Sequence, residues 1–397
     1  MRLLWFCSLN VLPYSDKVKF INNKIPVVLA PWIDSYINAF RNETESELHI
    51  IAEFTNLKED VYIQDNNVFI YLLSQKMPLL NRGWPHVFRY FTNYYLLNRK
   101  VNKIVKKINP DLIHLHGTEH DLSRVALNYL RIPLMATIQG FVNEAVHRNN
   151  NFYMNNKLKI ENLVFKKCQN FGIRAQFMEE IIKNHNASPS FYYHDYIFER
   201  PKITKFADND AHVVFAARIC RDKGIEDLIQ ALGIVKRSIP DLKFKIIGSI
   251  DANYKNFIIE LIKANNLVEN TNLIGYLHDI NDVHLQVAKS MINVLPTHYD
   301  IISGTILESM YIGVPVIAYN VGAIPELNEK RDSLIIVNKG DIDGLANTIQ
   351  CLLFDGELRI KLSYNALITV SERFGDKDNL KKLKSIYIDI LKNSINS

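Results

Sequence analysis

The sequence predicts an α/β protein made of two Rossmann-like, doubly wound domains, and three observations predict it. The 397 residues exceed what one hydrophobic core usually serves and suit two domains of roughly 150–200 residues. In both halves short β-branched runs alternate with longer helical patterns, as βαβ units around parallel sheets require. Between the halves, FERPKITKFADND (198–210) loses periodicity and gains charge and turn formers, as a linker does. The expected division is residues 1–200 for the first domain and 207–376 for the second.

Taken in order, residues 3–7, 49–54, 68–72, 111–115 and 133–137 read as strands of the first half, with helical stretches at about 84–108, 121–130 and 157–169. In the second half the strands fall at 212–216, 244–247, 272–275, 292–295, 315–319 and 333–337. The helix after the first of these places Ile225, Leu228, Ile229, Leu232 and Val235 on one face of a 3.6-residue period. No internal repeat or low-complexity tract interrupts the pattern, and the richness in Asn, Ile and Lys carries no functional reading.

Composition narrows the function classes. Hydrophobic residues at 48% and charged residues at 22% are ordinary for a soluble globular chain. A net charge of +5 fits an anionic ligand or a membrane surface and is too weak to argue for nucleic acid. Cys7, Cys168, Cys220 and Cys351 have no CxxC spacing, which argues against a zinc site or disulfide framework and suits a reducing cytoplasm. The start, MRLLWFC, is too short for a signal-peptide core, and no stretch approaches the ~20 apolar residues that span a bilayer. A soluble or peripheral protein is expected.

Two segments carry the chemistry, both at carboxyl ends of expected strands, where open α/β sheets bind ligands. AARICRDKG (216–224) follows a strand and opens a helix, so Arg218 and Lys223 sit beside a helix N-terminus and can hold an anion. The bland alternative is a solvated basic turn with Gly224 starting the helix. DIISGTILE (300–308) follows the strand at 292–295. Ser303, Gly304 and Thr305 there can aim backbone N–H groups at a phosphate or at sugar hydroxyls, and Glu308 can accept from a ribose diol. The alternative is that Thr305 and Glu308 form a capping box that only starts the helix.

In this order, the two segments resemble the retaining GT-B glycosyltransferases called family 4 (glycosyl transferases group 1), of the bacterial envelope-polysaccharide type. The resemblance is close from 212 to 328 and looser before about residue 100. It implies two Rossmann-like domains facing across a cleft, a hinge near 198–210, and a C-terminal helix (377–397) returning to the first domain. It implies that Arg218 and Lys223 bind the diphosphate of a nucleotide-sugar donor. The family's Glu-x7-Glu pair falls on Asp300, for the donor sugar, and Glu308, for the ribose, so the first acid is one methylene shorter. The run GVPVIAYNVGAIPE (313–326) looks like the family's next strand and loop, with Gly322 and Glu326 structural.

By the same resemblance the base is held near GYLH (275–278), through backbone groups and the apolar wall of Leu277; the His278 side chain reads as a surface turn residue. Gly248 of IIGS (246–249) matches a strand-end glycine of that cleft. In the first half, PDLIHLHG (110–117) and ATIQG (136–140) match the acceptor domain's strand ends. Gln139, beside Gly140, stands where the family usually has a His that touches the donor sugar; Gln hydrogen-bonds but takes no proton near neutrality. His116 is the nearby alternative. The family's early glycine pair is missing, and IPVVLAPWI (25–33) stands in its region, so contacts from that loop are not carried over.

The reaction implied is front-face transfer with retention, needing no enzyme nucleophile, no cofactor and no metal: Arg218 and Lys223 replace a divalent ion, and no DxD-type metal motif lies in a fitting place, Asp208 to Asp210 falling in the linker. The acceptor is a glycan or a lipid-linked glycan. Residues 86–108 combine aromatics with Arg89, Arg99, Lys100, Lys103, Lys106 and Lys107, a pattern that serves either an anionic inner leaflet or a core-packed helix with a solvated face. Two rivals remain: a non-hydrolysing nucleotide-sugar 2-epimerase, whose proton-transfer set has no match here, and a non-catalytic nucleotide-sugar-binding protein.

Overall fold

The structure is a computed structural model and describes residues 1–21, 31–75, 89–142, 151–206 and 208–395. The chain forms two units, Met1–Glu199 with Asp376–Ser397, and Arg200–Gly375.

The first unit holds strands β1 (Arg2–Phe6), β2 (Glu47–Phe54), β3 (Val61–Asp65), β4 (Val68–Ser74), β5 (Leu112–His116), β6 (Leu134–Thr137), β7 (Asn170–Ile173) and β8 (Ser190–Tyr193). They lie in the order β3-β4-β2-β1-β5-β6-β7-β8, parallel except for β3, which pairs antiparallel with β4. The inner strands are apolar on both faces because helices cover both sides, so β1 and β5 are buried along nearly their whole length. The helix Asp376–Ile395 belongs to this unit. Its Leu383, Ile386, Tyr387 and Ile390 join Trp5, Tyr36 and Phe40 in one core, and Tyr387 Oη lies 2.6 Å from His114 Nδ1.

Three helix expectations are corrected here. The stretch at 84–108 begins its regular helix only at Tyr95 and runs to Ile108, because Asn93 and Tyr94 turn left-handed (φ 44° and 59°); residues 84–88 lie outside the described part. The stretch at 121–130 is a short α-helix, Asp121–Ala126, followed by a 3-10 turn, Leu127–Tyr129. The stretch at 157–169 starts earlier, as Phe152–Lys167, because the Asn151 side chain caps it by accepting from Met154 N at 2.9 Å. The helix Pro31–Arg41, strands β3, β7 and β8, and the helix Phe177–Lys183 went unread. Of the segment 25–33, residues 25–30 are outside the described part.

The second unit holds β9 (Ala211–Ala216), β10 (Phe244–Ile247), β11 (Thr271–Gly275), β12 (Ser290–Leu295), β13 (Val316–Tyr319) and β14 (Ile335–Val337), all parallel, in the order β11-β10-β9-β12-β13-β14. This is the dinucleotide-fold order, which reverses between β9 and β12. The helix Ile225–Val235 buries the five residues of its expected apolar face, with Ala231 among them. The stretch expected as a linker is docked: Lys205 N bonds Ile312 O (2.8 Å), Phe206 N bonds Ala288 O (3.1 Å) and Asp210 N bonds Lys289 O (2.9 Å); residue 207 is not described.

Candidate functional site

The reversal between β9 and β12 opens a crevice at the carboxyl ends of these two strands, and the loops that follow them meet there. Gly224 makes the meeting close. It has φ +74°, and a Cβ on it would lie 1.8 Å from the Pro296 carbonyl oxygen. With the two loops in contact, Lys223 Nζ reaches Asp300 Oδ2 at 2.5 Å, both side chains about one-fifth exposed. Thr297 Oγ1 lies 3.1 Å from that same carboxylate oxygen and 3.1 Å from the Asp222 carbonyl, and His298 N donates to Asp222 O at 2.8 Å. Lys223 and Asp300 thus form one polar centre.

Arg218 differs. It is exposed and makes no ion pair among the described residues, so its charge is available to an anion. Gly248 holds the backbone beside it: at φ +145°, a Cβ there would sit 1.8 Å from Ala217 O. Gly248 N also bonds Gly275 O at 2.9 Å, which ties the end of β11 to the same crevice. Past Gly275, Leu277 packs on the core of this unit, whereas Tyr276 and His278 are exposed, their rings edge-on with centroids 5.0 Å apart.

The capping-box reading of Thr305 and Glu308 is overturned. The helix runs Gly304–Ile312 with Ser303 as its N-cap, which puts Thr305 and Glu308 inside the helix. Ser303 makes no side-chain cap bond; its Oγ lies 3.0 Å from Thr305 Oγ1 instead. The first-turn N–H groups therefore have no side-chain cap. Glu308 is about one-fifth exposed, and its Oε2 lies 3.7 Å from Nε2 of the buried His284, whose ring nitrogens have no hydrogen-bond partner.

Sequence reasoning missed the residues that hold the Asp300 loop. Asp227 Oδ2, on the helix after β9, accepts from His298 Nε2 (2.9 Å) and from Tyr319 Oη (2.9 Å). Burial, reinforced by that bond, raises the Tyr319 phenol well above its ordinary value. In the sequence Asp227 is one more acid in the first turn of a helix, and nothing marks its partners, 71 and 92 residues away. Gly322 presses on the loop from the other side, where a Cβ would lie 2.0 Å from Asp300 O. Glu326 faces Arg373 at 3.7 Å.

In the first unit Gln139 and Gly140 follow β6 and are half-buried. Their loop is anchored by the buried Glu161, whose carboxylate accepts from Val142 N (3.0 and 3.1 Å) and from Thr118 Oγ1 (3.2 Å). His116 cannot replace a proton-taking His. It is fully buried, neither ring nitrogen has a partner, and burial, with His194 nearby, pushes its pKa down to about 3. Arg89 does not belong to an exposed basic face either. It is buried between Glu53 (2.7 Å) and Asp121 (3.0 Å).

Residues 197–368 match the family described as "Glycosyl transferases group 1". The chain is similar to the capsular polysaccharide biosynthesis glycosyltransferase CapM of Staphylococcus aureus, 30% identical over 187 residues, 47% of this chain and 48% of that protein. The match thus spans about half the length of that relative. It is also similar, 21% identical over 82% of this chain and 91% of the other, to the N-acetyl-alpha-D-glucosaminyl L-malate synthase of Bacillus anthracis. Among solved structures it resembles the sucrose-phosphate synthase of Thermosynechococcus elongatus (TM-score 0.75, 17% identity, 99% and 100% of the two chains covered). Another is Anabaena HepE in complex with UDP and glucose (TM-score 0.68, 15% identity, 97% and 99%). At these identities the likeness is one of fold, and the fold is GT-B.

Proposed function

We propose that this chain is a retaining, metal-independent glycosyltransferase that moves a sugar from a nucleotide-diphosphate sugar to a glycan or lipid-linked acceptor in polysaccharide biosynthesis. The observation that carries the reading is the meeting of Lys223 and Asp300. Residues 77 apart in sequence join at 2.5 Å at the switch point of a dinucleotide-type sheet, inside a group 1 domain. Arg218 and Lys223 take the diphosphate and stabilise the charge that grows on it as the glycosidic bond breaks. Asp300 contacts the donor sugar. Ser303, Gly304 and Thr305 offer N–H groups at a helix start, and Glu308 takes the ribose diol. The base lies by Gly248, Leu277 and His278. The relatives' names, which include a capsular polysaccharide enzyme and a structure holding UDP and glucose, support the donor and acceptor classes.

The reading includes contact with an anionic inner membrane surface through 86–108, of which 86–88 lie outside the described residues. Phe91 and Tyr95 are 75% and 63% exposed, and Arg99, Lys103, Lys106 and Lys107 are exposed on the helix that follows. Among the described residues no helix is long and apolar enough to cross a membrane.

Donor-induced thermal shifts across UDP-, GDP- and ADP-sugars test the reading, since a ligand of the folded state raises its melting temperature. One donor should stabilise the protein, and Arg218→Ala should weaken that donor about 10- to 100-fold, the equivalent of one charge-assisted contact of about 1.5–3 kcal/mol. The melting temperature without ligand should not move. Transfer should persist in EDTA. Unchanged donor affinity in Arg218→Ala, or activity lost to EDTA and restored by Mg²⁺, would refute the corresponding part.

A further inference from the structure

Two helices of the second unit, Ile342–Phe354 and Gly356–Phe374, follow one another across the single residue Asp355, whose side chain caps the second by accepting from Leu358 N at 2.8 Å. The second helix already has a core face, on which Leu362, Ala366, Thr369, Val370 and Phe374 are buried. A surface helix with one core face is expected to be polar elsewhere. Here a second stripe is apolar. Ile360 and Tyr364, one turn apart, are 73% and 68% exposed, and Phe354 at the end of the first helix is 72% exposed. Phe354 and Ile360 line one open groove together with Asp355 and Glu357. The three apolar side chains expose on the order of 400 Å², the size at which apolar patches on a monomer mark contact sites.

The charges beside the stripe select what covers it. Glu357 and Lys361 share the helix face of Ile360 and Tyr364, and both are exposed. Glu357 makes no ion pair among the described residues. Lys361 reaches Asp332 at 3.7 Å, with both side chains mostly exposed, and such a contact costs little to exchange. Arg359 is folded back: its Nη1 bonds the carbonyl oxygens of Leu352 and Leu353 at 2.7 and 2.6 Å, closing the end of the first helix. The face therefore presents one acid and one base, a turn apart, on either side of residue 359, and is complementary to itself. When two copies lie antiparallel about a two-fold axis at residue 359, Glu357 of each stands opposite Lys361 of the other. The same register sets Phe354 opposite Tyr364 and brings the two Ile360 side chains together near the axis.

We infer that this stripe is the contact surface for a second copy of the chain, an isologous dimer held by Phe354, Ile360 and Tyr364 and kept in register by Glu357 and Lys361. The contact covers the patch on both copies, roughly 800 Å² of apolar surface, and the charged rim brings it to the ~1,000 Å² that a specific interface needs. An anionic membrane does not fit this face, because Asp355 and Glu357 border the groove. The dimer stands apart from the glycosyltransferase reading and holds whatever the donor.

Sedimentation equilibrium on the full chain tests it. Monomer and dimer should exchange with a dissociation constant on the order of 10 µM, as suits an interface at the small end of the range. Glu357→Lys and Lys361→Glu should each weaken the dimer about tenfold or more, since each sets like charges opposite one another twice. The double variant Glu357→Lys with Lys361→Glu restores both pairs and should dimerise within about threefold of the original chain. Phe354→Asp should leave only monomer. All four changes lie at exposed positions, so melting temperatures measured on dilute, monomeric protein should stay within about 2 °C of the original. A chain that is monomeric at every concentration overturns the inference, as does a dimer indifferent to Phe354→Asp and to the single charge swaps. A double swap no better than the single ones refutes the two-fold register. A monomer that pellets with zwitterionic vesicles through Phe354 gives the patch to a membrane and overturns the inference as well.

Discussion

Gly224→Ala concentrates the geometry of the proposed donor site into one methyl group. The new Cβ would stand 1.8 Å from the Pro296 carbonyl oxygen, and real Cβ contacts essentially never fall below 3.0 Å, so one loop must retreat by at least 3.0 − 1.8 = 1.2 Å. The backbone at φ +74° adds about 1–2 kcal/mol for any residue with a side chain. Forcing a methyl into a packed contact adds about 1–3 kcal/mol more. The sum, about 2–5 kcal/mol, lowers the melting temperature of a unit the size of Arg200–Gly375 by roughly 4–20 °C. The retreating loop carries Thr297, His298 and Asp300, so the 2.5 Å contact of Asp300 with Lys223 opens as well. Donor binding should therefore fall even at temperatures where the variant is fully folded.

Gly340→Ala is the matched control, because it has φ +81° but nothing within 4 Å of its Cβ position. It should cost only the conformational part and spare donor affinity. Calorimetric melting and donor titration at 15 °C read the two effects separately. A Gly224→Ala protein that melts within 2 °C of the original and binds donor normally would show that the two loops do not need this contact, and the coupling of Lys223 to Asp300 through Gly224 would be wrong.

Glu308→Gln should leave the melting temperature unmoved and weaken the donor about tenfold or more, since an amide oxygen accepts from ribose hydroxyls less strongly than a carboxylate. Because Ser303 is the N-cap, Glu308→Ala should also spare the helix; a loss near the ~1 kcal/mol of a missing cap would restore the capping role. Acid should destabilise the first unit through His116 and His194, whose folded pKa values of about 3 and about 4 lie below the ordinary 6.5 mainly because they are buried. The unfolded chain binds these protons first, so stability is intact above pH 6.5 and falls between there and pH 4, by on the order of 2 kcal/mol per residue at pH 5. His116→Phe should flatten that decline in urea titrations at pH 7 and pH 5, and an unchanged slope would refute it. Co-sedimentation with anionic but not zwitterionic vesicles, weakened by Lys103→Glu with Lys106→Glu, is the outcome expected of membrane contact; equal pelleting with both would remove it.

The second unit was far more legible than the first, and the reason is physical. Strands buried on both faces read as nearly unbroken apolar runs, as β9, β12 and β13 do, and each strand of the second unit fell within two residues of its place. In the first unit β3 is an antiparallel edge on which only Ile63 is buried, the run of β7 is polar at Asn170 and broken by Gly172, and β8 is an edge with no buried residue. At the site, residues whose role is written in the local backbone were readable: Gly224 and Gly248 sit where a chain leaving a strand must turn tightly, and a run of Ser, Gly and Thr before an apolar stretch announces a helix start. What escaped was every partnership across the sheet. Asp227 with His298 and Tyr319, Glu308 with His284, and Glu53 with Arg89 and Asp121 are set by which strands lie side by side, and the order that reverses at β9 and β12 is a property of the whole sheet. The same rule separates two strand-end histidines. His116 and His298 both lie at or just past strand ends, but only the second is turned toward a carboxylate, while the first is sealed against Trp5 and His114 with no group to take its proton.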